Sequence, residues 1–181
     1  MPGRNGTTMI ERREHMAIDP GKTYLLLENI VVLKKSPLFS AVNTNDLRTV
    51  ASIIDELTFK KGEFIVREND VGDSLYLIKS GKVTILKKTG QNADVELAVL
   101  NEGECFGEMA VVDEEVRSAS VCARENCTLL RLNREDLNDV IMNSPSIGVE
   151  LLKIFVKRLR IANARIEALS HTGNEPGIPD R

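Results

Sequence analysis

The chain has no tryptophan and only two tyrosines and five phenylalanines in 181 residues, so an aliphatic core has to hold it together. Its two histidines, His15 and His171, stand near opposite ends of the chain, which leaves no imidazole pair for a metal site and no general base beside a nucleophile. Cysteine is scarce too. Cys105, Cys122 and Cys127 are odd in number, lack CxxC spacing and sit in apolar, strand-like contexts. That excludes a disulfide framework or zinc site and makes them small core residues. No apolar run approaches the roughly 20 residues that cross a bilayer, and the polar opening MPGRNGTTMIERREHM has no signal-like apolar region, so the expected location is cytoplasmic. A net charge of −3 gives no electrostatic reason to bind DNA or an anionic membrane, and neither is expected as a partner. There is no nucleophile elbow, phosphate-binding P-loop or HExxH spacing. An esterase built on Ser118 or Ser120 would lack its histidine. The expectation is a non-enzyme without cofactor or metal.

What is present is 42% hydrophobic residues, enough for one sizeable core with helical additions. Residues 1–18 are polar and mixed in charge and are expected to be flexible. Residues 19–54 read as N-terminal helices. In the first, Leu26, Ile30 and Leu33, with Leu27 and Val31 beside them, keep a helical period that ends before Pro37 and predicts an amphipathic helix. In the second, Asn43 or Thr44 serves as N-cap ahead of Leu47, Val50, Ala51 and Ile54.

From 55 to 133 the pattern changes to short alternating runs broken by Gly62, Gly72, Gly81, Gly90, Gly103 and Gly107. This spacing predicts about eight strands, with Leu75, Leu77, Val83 and Ile85 turned to a core on one face. Short strands and frequent turns favour a jelly roll over an open sheet. The fold class is therefore mainly β with flanking helices: an eight-stranded β-jelly-roll, N-terminal helices and a long C-terminal helix. Helical period returns over 134–170, where Asn133 is the N-cap with Glu135 and Asp136 in the first turn. Residues 171–181 form a polar, glycine- and proline-bearing tail, expected to be flexible.

The last helix carries two apolar stripes. Leu152, Phe155, Leu159, Ala162, Ile166 and Leu169 form a heptad seam, and Ile147, Leu151, Ile154 and Ile161 form a neighbouring stripe. One stripe on the barrel and one in a parallel helix pair between two copies makes a homodimer; a single wide stripe on the barrel is the other reading.

The stretch FGEMAVVDEEVRSAS, 106–120, keeps a lone arginine, Arg117, among Glu108, Asp113, Glu114 and Glu115. Gly107 ahead of a helix start leaves bare amides for a phosphate oxygen. Arg117 can add charge-assisted hydrogen bonds to it, each about 1.5–3 kcal/mol. A carboxylate repels phosphate but accepts strongly from a hydroxyl, so Glu108 suits a ligand that carries both groups, as a cyclic ribose phosphate does. The plain alternative is a Glu108–Arg117 surface ion pair, worth about 0–1 kcal/mol.

The pattern Phe106-Gly107-Glu108-Met109-Ala110, followed by Arg117-Ser118-Ala119, resembles the phosphate-binding cassette of the cyclic nucleotide-binding domain family. Upstream, RENDVGDSLYLIKSGKVTIL, 67–86, is similar to the family's turn and strand signature through Gly72, Asp73 and Gly81. The resemblance covers 38–169. It implies that Gly107 and the amides of Met109 and Ala110 line the phosphate, that Glu108 holds the ribose hydroxyl and that Arg117 holds the phosphate charge. It further implies that Ser118, ahead of Ala119, adds a hydroxyl donor and that Leu97 contacts the base.

Arg117-Ser118 resembles the catabolite-activator branch of the family, which favours cAMP over cGMP as ligand. In that branch the final helix reaches the base with a pair of hydroxyl residues. Here Ala162 and Asn163 stand in their place, and Asn163 can supply an amide in part replacement. Many kinase-type members have proline where this chain has Val116. Only 12 residues follow Leu169, so the chain as given is expected to hold no winged helix-turn-helix, kinase, cyclase or channel and to pass its signal to an unidentified effector protein. The competing expectation is a structural or interaction module that keeps the fold without the ligand.

Overall fold

A computed structural model of the protein describes residues 20–88, 90 and 94–172, with the side chains of Pro20 and 169–172 left aside. The expectations for 1–18, for His15 and His171, for the Leu169 seam position and for 173–181 therefore lie outside what is described.

Helix α1, Pro20–Lys35, leads through the turn at Ser36 to Val42 into α2, Thr44–Ile53. Asn43 is the cap of α2: its Oδ1 accepts from the Asp46 amide at 3.0 Å. Eight strands follow in two antiparallel sheets, with β1 at Asp55–Phe59, β2 at Phe64–Val66, β3 at Ser74–Ser80 and β4 at Val83–Lys88. Strand β5 is Asp94–Leu100, β6 is Cys105–Phe106, β7 is Ser120–Ala123 and β8 is Cys127–Asn133. One sheet runs β1-β8-β3-β6 and the other β2-β7-β4-β5, the two faces of a jelly roll. The short α3, Glu108–Val112, interrupts the strands between β6 and β7. After β8, Asn133 caps α4, Arg134–Asn143, by accepting from the Asp136 amide at 2.8 Å, and α5 runs Ser146–Thr172.

The core has two parts on opposite faces of β3 and β8. Tyr76, Ile78, Cys127 and Leu129 point between the sheets with Val83, Phe106 and Val121. Leu75, Leu77, Leu130 and Leu132 point outward and are covered by Leu33, Phe39, Leu47, Leu137, Ile147 and Leu151 from the helices. The sequence reading put only one face of β3 on a core. The second face is buried because the helical layer lies over it, which is why Ser74–Ile78 is buried without a break.

Helix α1 also differs from expectation. Leu33 is buried and Leu26 and Ile30 are half-buried, but the buried set includes Asn29, while Tyr24, Leu25, Leu27 and Val31 are exposed. Apolar residues thus encircle this helix instead of forming one stripe. Lys79 fastens it to the sheet: its Nζ donates to Glu28, Asn29 and, on β1, Glu56, at 2.7, 3.2 and 2.7 Å. Cys105 and Cys127 are buried, Cys122 is half-buried, and all three are free thiols. Among the described residues no helix is long and apolar enough to cross a membrane.

Candidate functional site

Strand β6 pairs with β3, and Phe106 stacks on Tyr76 with ring centroids 5.1 Å apart. The chain then turns at Gly107, whose φ of +83° suits glycine. A Cβ at Gly107 would lie 2.6 Å from Arg117 Nη1 and 2.8 Å from the Ser74 carbonyl, so the backbone approaches the arginine as only glycine permits. Gly72 meets the same group from another side: a Cβ there would be 2.4 Å from Ala110 Cβ and 2.9 Å from Arg117 Nε. Two glycines far apart in sequence therefore make room for one arginine.

Arg117 is 5% exposed. Its backbone is fixed by two hydrogen bonds to the loop before β3, its amide donating to Asp70 at 2.8 Å and its carbonyl accepting from Asn69 at 2.9 Å. Its Nη1 donates to the Gly107 carbonyl at 3.1 Å, and its guanidinium carbon lies 5.7 Å from the centre of the Tyr76 ring. Burial lowers its pKa, opposed by Tyr76, Asp73 and Glu108.

Glu108 is fully buried at the start of α3. The surface ion pair with Arg117 is not what holds it. Its Oε1 accepts from Nη1 of Arg158 on α5, and Nη2 of the same guanidinium donates to the Cys105 carbonyl at 2.6 Å. Its second oxygen, Oε2, is buried with no hydrogen-bond partner among the described residues. A buried carboxylate oxygen left without a donor is costly, so a donor supplied by a ligand gains there what water would otherwise provide. The Cys105 thiol behind this pair is pushed up to about 12 by burial first and by the Glu108 charge second. Midway along α3, Arg134 Nη2 donates to the Ala110 carbonyl at 2.8 Å and also to the Gly72 carbonyl at 2.7 Å. This clasp joins the start of α4 to the turn around Arg117.

A cavity of about 800 Å³ lies between α3, the β4-β5-β7 surface and α5. Gly107, Glu108, Met109, Ala110, Arg117, Ser118, Ala119 and Leu97 all line it. Asn163 does not: it is exposed on α5, outside the lining, whereas its neighbour Ala162 is within it. A 100° step per residue separates the two positions on the helix. Besides these groups the lining includes aliphatic side chains such as Ile85, Leu97, Val99 and Ile161, and charged ones from α5 such as Lys157 and Arg158.

Arg158 was missed in the sequence, yet a signal was there. The barrel-facing stripe of α5 runs Ile147, Leu151, Ile154, then Arg158, Ile161 and Arg165, steps of 4, 3, 4, 3 and 4. Arg158 and Arg165 both line the cavity. A charge at a stripe position is the mark of a polar partner across the contact. Arg134 carried no comparable signal.

The expected heptad seam is divided by this geometry. Phe155 packs on the helical core and Ala162 lines the cavity, while Leu152, Leu159 and Ile166 are exposed. The outward apolar line is instead Val149, Leu152, Val156, Leu159 and Ile166, with Asn163 at the remaining step.

A jelly roll that places a buried arginine, a buried carboxylate and a glycine-led helix start on one cavity has the build of a ligand-binding domain. Comparison with known proteins agrees. The family described as "Cyclic nucleotide-binding domain" matches residues 56–144, and the chain belongs to it. The Cyclic AMP receptor protein of Thermus thermophilus is 36% identical over 138 residues, 76% of this chain and 64% of its own length. The N-terminal domain of a transcriptional regulator from Streptomyces coelicolor is 30% identical, with a TM-score of 0.60 over 74% of this chain and 95% of that one. The regulatory domain of Toxoplasma gondii PKA, solved with cAMP, is 25% identical, with a TM-score of 0.69 over 75% of this chain and 51% of that one. The chain thus spans a little under two thirds of the curated receptor it resembles.

Proposed function

We propose that the protein is a cytoplasmic regulatory sensor of a cyclic nucleotide, cAMP favoured over cGMP, that passes binding to α5 and through it to an effector protein. The observation that carries this reading is that Arg117, Gly107 and Glu108 line one cavity, and that the buried Glu108 keeps one carboxylate oxygen, Oε2, without a hydrogen-bond partner among the described residues. The cyclic phosphate binds Arg117, Ser118 and the amides of Met109 and Ala110. The ribose hydroxyl donates to Glu108 Oε2, and the base lies against Leu97 and the Ile161–Ala162 wall. The names of the Thermus receptor and the cAMP-bound Toxoplasma domain favour cAMP. Calorimetric titration with cAMP and cGMP tests the reading; affinity for neither overturns it.

Arg158 is the physical link to output. One carboxylate meets the ligand through Oε2 and α5 through Oε1, so any ligand that repositions Glu108 changes the free energy of holding α5. Only a difference in affinity between two α5 placements shifts their populations. The same contact also favours a second reading, in which Arg158 permanently satisfies the site and the domain serves as an interaction module. Thermal melting separates the two, because ligand at 100 times its dissociation constant adds about 2.7 kcal/mol.

The outward line of α5 supports a parallel homodimer. Val149, Val156 and Asn163 recur every seven residues, as do Leu152, Leu159 and Ile166. Valine and leucine in those two columns favour two strands, and one asparagine sets the register. Asn163 belongs to this seam and to no base contact within its own protomer.

A further inference from the structure

Lys87, the fifth residue of β4, lines the same cavity but is absent from every motif described above. Its Nζ makes two short contacts, donating to Glu68 Oε1 at 2.7 Å and to the Ser118 carbonyl at 2.7 Å. The Glu68 side chain is 9% exposed, and its other oxygen accepts from the Lys88 amide at 3.0 Å. The backbone of Glu68 reaches the same segment again, its amide donating to Ser120 Oγ at 2.9 Å. Residues 118–120, directly after Arg117, are therefore braced twice from Glu68, once through the lysine and once through the serine. The Glu68 carboxylate is held below the ordinary carboxylate range, chiefly by Lys87 and then by the Lys88 amide.

The Ser118–Ala119 peptide is planar and trans, so its carbonyl and its amide point to opposite sides. Lys87 pins the carbonyl. The Ala119 amide is thereby set in the other direction, on a residue that lines the cavity beside Arg117, and it donates to no acceptor among the described residues. A lysine free to swing would act on an anion as a point charge. One already neutralised by Glu68 and bonded to a carbonyl acts through geometry instead.

We propose that Lys87, braced by Glu68, is a positioning residue that fixes the Ser118–Ala119 peptide so that its bare amide meets the ligand phosphate. This rests on the reading of the cavity as a cyclic nucleotide site.

The decisive variant is Glu68→Gln, because Coulomb's law and the strap predict opposite signs. Removing a negative charge near an anion site tightens anion binding if charge alone matters. Loosening the strap weakens it roughly tenfold, the order of one charge-assisted hydrogen bond. In calorimetry with cAMP at fixed salt, Glu68→Gln and Lys87→Met are expected to weaken binding about equally. The double variant is then no worse than either single one, and Lys87→Arg restores most of the affinity.

Unchanged or tighter binding by Glu68→Gln overturns the strap while leaving the site intact. A wild-type chain that binds neither cAMP nor cGMP overturns site and strap together. If Glu68→Gln fails to fold, the charge-conserving double variant of Glu68→Gln with Lys87→Met decides: the strap predicts binding weakened about tenfold with the wild-type slope of affinity against salt, whereas wild-type affinity, or a shallower slope that makes Lys87 a direct phosphate cation, overturns the proposal.

Discussion

Replacing Arg117 by methionine removes the guanidinium while keeping a flexible side chain of similar reach in the space between Gly72, Gly107 and Tyr76. In the free protein the loss is the 3.1 Å contact to the Gly107 carbonyl, worth about 1 kcal/mol, and it is partly offset because a buried charge no longer has to be desolvated. The bound protein loses more. A charge-assisted contact to phosphate is worth about 1.5–3 kcal/mol, and a central 2 kcal/mol weakens binding roughly thirtyfold. At a cAMP concentration 100 times the wild-type dissociation constant, ligand stabilises the wild type by about 2.7 kcal/mol. The variant, now at only about 3 times its own constant, gains about 0.9 kcal/mol. For a chain of this size each kcal/mol moves the melting temperature by about 2–4 °C. The ligand-induced shift should therefore fall from about 5–11 °C to about 2–4 °C, read by melting with and without cAMP and checked by calorimetry. An unchanged shift in Arg117→Met would refute the claim that the phosphate sits at this arginine.

The other predictions follow the same geometry. Gly107→Ala places a Cβ 2.6 Å from Arg117 Nη1 at a φ of +83°, so it should cost about 1–3 kcal/mol of stability in denaturant unfolding and reduce cAMP affinity by displacing the arginine. Arg158→Ala leaves the fully buried Glu108 without its ion-pair partner; denaturant unfolding should show a loss of about 1–3 kcal/mol, below the usual cost of breaking a fully buried pair because Arg158 is 37% exposed. Asn163→Val replaces the polar seam position by an apolar one: sedimentation should show a dimer that persists to lower concentration and populates higher oligomers, whereas a monomer at tens of micromolar for both chains refutes the seam. Cys105 titrates near 12 in the fold against 9.0 ordinarily, so the unfolded chain loses that proton first and stability falls as pH rises from about 9 toward 12. Melting temperatures across that window should fall less steeply for Cys105→Ala, and equal slopes refute the assignment.

The amino-acid sequence alone determined the local features: glycine-punctuated alternation for the strands, Asn43 and Asn133 as caps, and the run from Phe106 to Ala119 whose two ends line the cavity. Each rests on neighbours a few residues apart, where backbone geometry leaves few choices. Spacing could not say which side of α5 meets the barrel, because two apolar stripes competed for it and helical period alone treats them alike. Packing decided that. It turned Arg158 onto Glu108, 50 positions away, left Asn163 on the exposed side of α5, and buried the second face of β3 beneath the helices. Lys87 and Arg134 likewise acquired their roles only when the fold brought the Ser118 and Ala110 carbonyls within hydrogen-bond reach. The physical reason is that a buried charge is placed by the partner it finds in three dimensions, and distance along the chain carries no trace of that partner.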